Sequence, residues 1–208
     1  MAFAGVVLGV SSFANAGLIS FTDRVSFNGA VGTSSIEDFE SFVSEESFRG
    51  SALDLGDFTV SMVDAISTIT LNFIDIPPLS SSESDVNGTS HMKVFTNSSS
   101  SLTFLFDSAI TVFGADFRSL NDSVVRTRLL VAGEVIDLPI AAGSGEFSFF
   151  GFTSDIAFTS VTFQGVMGDV YGIDNVSYSA TDVPEPSTLA IFALGLMGLA
   201  SRRFMKKS

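Results

Sequence analysis

The polar and apolar positions of this chain alternate with period two over most of its length, and the pattern is interrupted by Ser, Gly, Asn and Asp rather than by helical stretches. Between residues 101 and 106, Leu102, Phe104 and Phe106 fall on one side while Ser101 and Thr103 fall on the other, as a half-buried antiparallel strand requires. Similar runs predict strands at 58–63, 67–73, 92–96, 102–106, 110–117, 124–132, 134–138, 147–152, 160–165 and 173–178. Ala132-Gly133, between two apolar runs, has the character of a tight hairpin turn, since Gly admits the positive φ that such turns need. Helical periodicity is nearly absent. One short helix is expected over 24–31, capped by Thr22 or Asp23. Ser-rich stretches at 79–90 and 97–101 offer little apolar area and read as solvated loops. The fold class that follows is all-β: a single antiparallel β-sandwich, since 208 residues leave room for one ordinary domain plus targeting segments and no internal repeat is evident.

The two ends break the alternation. Residues 2–10 are apolar and small, and Ala14-Asn15-Ala16 follows as an A-x-A site for signal peptidase, which needs small side chains just before the cut. The expected mature start is Gly17. No Lys or Arg precedes Arg24, so the charged leading region of such a signal is missing. The alternative is a buried apolar strand.

At the other end, Val183-Pro184-Glu185-Pro186-Ser187-Thr188 leads into an uninterrupted apolar stretch at 189–200 and then a basic cluster, Arg202, Arg203, Lys206 and Lys207. The prolines remove backbone donors and hold the chain extended, so a domain ends there and a peptide becomes accessible. Twelve apolar residues make a helix of only about 18 Å against a hydrocarbon core of roughly 30 Å. Flanking Ser and Thr, with snorkelling arginines, extend it toward a transmembrane helix. The basic cluster then stays cytoplasmic and places the domain outside. A plain tail anchor would give the same orientation.

This tripartite tail closely resembles the PEP-CTERM sorting signal of Gram-negative bacteria. The resemblance implies export, recognition of Val183, Pro184, Glu185 and Pro186 by exosortase at the inner membrane, and delivery to the cell envelope or extracellular matrix. The expected organisation is a signal peptide at 1–16, an all-β extracytoplasmic domain at 17–182 and a sorting segment at 183–208. Partners expected on this reading are signal peptidase, exosortase, the membrane and, for the domain itself, extracellular polysaccharide.

Charge and composition narrow the chemistry. The formal net charge is −13, and the body is more acidic still, with 22 acidic against 6 basic side chains between Gly17 and Val183. Such a shell repels phosphate backbones, so nucleic acid is not an expected partner. The absence of cysteine removes disulfides, thiolate metal sites and Cys nucleophiles. There are 22 Phe but no Trp and two Tyr, Tyr171 and Tyr178, so the usual aromatics of sugar-stacking faces are scarce.

The body resembles, more loosely, the jelly-roll carbohydrate-binding modules, through Ile36-Glu37-Asp38-Phe39-Glu40 early in the chain and Ile173-Asp174-Asn175-Val176 late in it. That likeness implies neighbouring first and last strands and a structural calcium held by an early carboxylate and a late Asp. Asp38, Glu40 and Asp174 are the candidate ligands, carboxylate oxygens being what Ca²⁺ prefers. Turn-capping or solvated carboxylates would look the same.

For hydrolysis the chain offers one histidine, His91, expected in a loop or on an edge strand, and no G-x-S-x-G elbow. The function expected is therefore non-catalytic, structural or adhesive. A polysaccharide-binding module is the alternative, and a secreted hydrolase built on His91 is a weaker third.

Overall fold

The computed structural model describes residues 17–63, 71–80 and 82–179. Within them the chain forms β1 (Leu18–Phe21), α1 (Arg24–Val31), β2 (Ser35–Glu37), β3 (Glu46–Ser47), β4 (Leu53–Asp54), β5 (Phe58–Val63) and β6 (Phe73–Asp75). It continues with β7 (His91–Thr96), β8 (Ser101–Arg118), β9 (Thr127–Val131), β10 (Glu134–Asp137), β11 (Phe147–Gly165) and β12 (Asp169–Ser179). Every pairing between these strands is antiparallel. The all-β expectation holds, and so does the one helix, with the expected bounds. Asp23 caps it by accepting a hydrogen bond from the Ser26 amide.

Two strands run far longer than their alternation suggests. The segments predicted at 102–106 and 110–117 are one strand, β8, and those at 147–152 and 160–165 are one strand, β11. Their ladder is continuous apart from irregularities between Thr153 and Ser160. Residues 101–106 of β8 pair with β5, while 112–118 pair with β12. The two long strands thus serve both layers of the sandwich, and their halves meet through the core: Phe104 and Phe113 of the same strand stack with centroids 5.6 Å apart. Phe117 and Phe163 close the same cluster at 5.8 Å. This is how the domain fills its interior without Trp.

The main path of the sheet runs β10-β9-β11-β8-β12-β7-β6-β3. The last strand, β12, is therefore interior, with β8 on one side and β7 followed by β2 on the other. Val176 stands opposite Glu37, so the early acidic segment and the late one are neighbours, as their sequences suggested. At Ala132-Gly133 φ is 50° and 83°, the paired positive values of a two-residue hairpin turn. No helix among the described residues is long and apolar enough to cross a membrane. The transmembrane helix expected at 189–200 lies outside them.

Candidate functional site

Cross-strand register places two rows of side chains side by side on the outer face of the layer containing β12. The first row reads Phe73, Lys93, Gly172, Arg118, Phe147 across five strands, and beside it Asp174, Asp116 and Phe149 occupy the neighbouring row. The opposite face of the same strands carries Ile173, Phe117 and Met92 into the core.

Helix α1 packs over one end of this face because two glycines leave room for it. A Cβ on Gly151 would stand 2.7 Å from the Phe27 ring, and one on Gly114 would stand 2.9 Å from it. Phe27 therefore drops onto the sheet and stacks on Phe149, with centroids 5.2 Å apart. Docking the helix aims Arg24 across the sheet. Its Nε donates to Asp116 Oδ1 at 2.8 Å, one Nη to Ser177 Oγ at 3.0 Å and the other to the Asn175 carbonyl at 2.9 Å. Asn175, at φ 50° in the bulge of β12, donates its amide to Asp116 Oδ2 at 3.1 Å. Both oxygens of Asp116 are thereby fixed.

Next to Asp116 the Asp174 side chain is wholly buried. Oδ1 accepts from the Asn175 amide at 2.6 Å, and Oδ2 has no partner. Burial pushes its carboxyl up to about 7; the Asn175 amide opposes the rise, and the fields of Asp116, Glu40 and Asp38 add to it. All three sequence candidates thus lie in one electrostatic neighbourhood. They do not form a ligand set, however: Glu40 Oε1 accepts the Ser90 amide at 2.9 Å, and Asp38 Oδ1 accepts the Glu40 amide at 3.2 Å. Among the described residues no group of three or more His, Asp or Glu is gathered closely enough to hold a metal ion. The arrangement does not fit calcium as it stands.

The segment 82–90 crosses the face and divides it. The Ser84 carbonyl lies so close over Gly172 that no Cβ could be accommodated there, and Ser119 Oγ donates to the Glu83 carbonyl at 2.7 Å to hold the crossing. One cleft is left on each side. On the α1 side a cleft of about 440 Å³ is bounded by Arg24, Val86, Asn87, Asp116, Phe147 and Phe149. Phe147 is 60% exposed, and the Arg118 guanidinium stacks 4.1 Å from its ring centroid. Across the crossing, a cleft of about 600 Å³ includes Arg49, Phe73, Ser80 and Lys93. There Lys93 is only 7% exposed, its Nζ donates to Ser80 Oγ at 2.8 Å, and Ser80 Oγ donates to Asp75 Oδ2 at 2.5 Å.

Other expectations are redirected. His91 is neither in a loop nor on an edge: it is wholly buried, opens β7 opposite Asp75, and its Nδ1 bonds the Thr89 carbonyl at 3.0 Å. A carbonyl only accepts, so Nδ1 carries the proton and Nε2 is left without a partner. Among the described residues no serine hydroxyl is bonded to it. Tyr171 is wholly buried, which raises its hydroxyl pKa, and Tyr178 packs on Phe58 and donates to Asp57 at 2.9 Å. Neither is a platform. Among the described residues the exposed ring is Phe147, and its signal lies in the run Phe147-Ser148-Phe149-Phe150-Gly151-Phe152: aromatics on both parities of one strand must put rings on both faces.

The residues singled out at the ends, Ala14 and Ala16, Val183, Pro184, Glu185 and Pro186, and Arg202, Arg203, Lys206 and Lys207, lie outside the described residues. Comparison with known families matches residues 182–203 to the PEP-CTERM protein-sorting motif. No curated protein matches the chain.

Proposed function

From the premise that this chain carries a PEP-CTERM protein-sorting motif at residues 182–203, we propose that it is a non-catalytic surface or extracellular-matrix protein of a Gram-negative bacterium. The motif itself marks the chain for export and for processing by exosortase. In the proposed course, signal peptidase releases the chain at Ala16, the apolar segment holds it in the inner membrane, and exosortase acts at the Pro184-Glu185-Pro186 element. The body then reaches the envelope or the polymer matrix as a folded acidic sandwich. Support comes from the order of the parts: the last described strand, β12, runs to Ser179 and the motif occupies residues 182–203, so the address follows the β domain along the chain. The body's 22 acids against 6 bases suit a hydrated matrix and disfavour nucleic acid.

Intact-mass measurement of the protein from the envelope of a host that contains an exosortase tests this reading. The expected mature species starts at Gly17 and lacks Lys206-Lys207-Ser208. Replacing Pro184, Glu185 and Pro186 together by Ala should make the tailed precursor accumulate. A mature wild-type form that keeps Lys206-Lys207-Ser208 overturns the processing claim.

A further inference from the structure

We propose that the cleft between α1, the 82–90 crossing and the sheet is a saccharide site that takes one or two neutral sugar rings of a polysaccharide, with Phe147 as its stacking platform. Three observations converge. A sugar ring has an apolar C–H face and a hydroxyl rim, and the cleft presents a surface for each. Phe147 offers a 60% exposed ring whose position is fixed by the Arg118 guanidinium stacked 4.1 Å from its centroid. Among the described residues Phe147 is the one aromatic ring that faces water, while Phe149 on the same face and Phe150 on the opposite face are buried, and the C–H face of a sugar would cover it.

The polar half is preorganised. Asp116 and Asn175, planar groups able to engage two adjacent hydroxyls, are locked by four hydrogen bonds of 2.8 to 3.1 Å among Arg24, Asp116, Asn175 and Ser177. Held in this way, Asp116 can accept further hydrogen bonds from hydroxyls with no side-chain ordering to offset. The local charges also decide the class of ligand. Of the charged residues that line the cleft, Asp116 is paired with Arg24 at 2.8 Å and Asp23 caps the helix, while the Arg118 guanidinium stacked on Phe147 adds a positive charge beside it. The cleft is thus far less acidic than the domain around it, favouring an uncharged, hydroxyl-rich group over a phosphate or a metal ion. Its volume of about 440 Å³ falls within the range of small-ligand sites. The cleft across the crossing is different: there the Lys93 ammonium, the Ser80 hydroxyl and the Asp75 carboxylate are joined to one another.

The site goes beyond the sorting reading, which is tested by mass and not by binding, so either can fail alone. The experiment is affinity electrophoresis and calorimetry of the full chain in a detergent without a sugar headgroup. The probes are laminarin, hydroxyethylcellulose and galactomannan, with polygalacturonate as the anionic comparison. At least one neutral polymer should bind, and Phe147→Ala should weaken it about tenfold, as expected when a ring-stacking contact is lost. Phe147→Tyr should restore binding, and Leu105→Ala, at an exposed residue in the 101–106 half of β8, should leave it unchanged. Silence from all three neutral polymers, wild-type affinity in Phe147→Ala, or a preference for polygalacturonate that Phe147→Ala does not alter would each overturn the proposal.

Discussion

Asp174 carries a carboxyl that the fold buries completely and leaves half unpartnered, so its protonation state is tied to stability. Its folded value is raised from 3.8 to about 7, chiefly by burial, so the protonated form is the one the native state prefers. The associated stability is fully present below pH 3.8 and is lost as pH rises through about 7. Asp174→Asn keeps an oxygen for the Asn175 amide and removes the charge. It should melt higher than wild type at pH 8, by about 1–2 kcal/mol, and show no advantage at pH 4. Thermal denaturation across that range checks both. Sequence reading picked out this residue together with Asp38 and Glu40, and the fold does draw them together. What it could not show is where their oxygens are spent: each accepts a backbone amide, Asp38 that of Glu40, Asp174 that of Asn175 and Glu40 that of Ser90 far along the chain, a choice made by loop geometry and not by composition.

Helix α1 depends on space as much as on its own sequence. Phe27, its one fully buried side chain, fits only because Gly114 and Gly151 expose bare backbone beneath it. Gly151→Ala should cost about 1–3 kcal/mol in denaturant unfolding, since rings on two sides, Phe27 and Phe149, block the new methyl. Gly29→Ala, in the same helix with nothing within 4 Å, should instead stabilise by about 0.5–1 kcal/mol. The helix, the 132–133 hairpin and the longer strands were legible because their signals are local: a cap, a turn, an alternation. Other elements were not. β1, β2 and β3 are two to four residues each and exist through partners far along the chain, as with Leu18 opposite Ser154, while β4 is two residues that pair locally with β5. Residues 107–109, left between two expected strands, continue β8, whose pairing passes there from β5 to β12. The strand expected from residue 124 starts at Thr127 instead, since Asn121 Oδ1 takes the amides of Arg126 and Thr127. The strand expected at 67–73 falls largely outside the described residues, and β6 begins at its last position.

At the scale of the whole molecule, a continuous Phe-rich core joins both layers, and the chain leaves it from the middle of the sheet, not from a rim. β12 is flanked along its length by β8 and by β7 and β2, and it ends at Ser179. Pro184 is five residues on, so even a fully extended chain puts the recognition element within about 18 Å of the strand's last residue. On the proposed reading, a membrane enzyme that grips that element works almost against the surface of a folded sandwich. Lengthening the leash should then relieve crowding: six Gly and Ser residues inserted after Asp182 should raise the fraction processed in pulse-chase labelling, and an unchanged or slower rate would count against steric hindrance. If the apolar segment holds the chain in the membrane as proposed, the same short leash makes any pull on it load an interior strand directly, so the hydrogen bonds that complete the sheet would also bear that force.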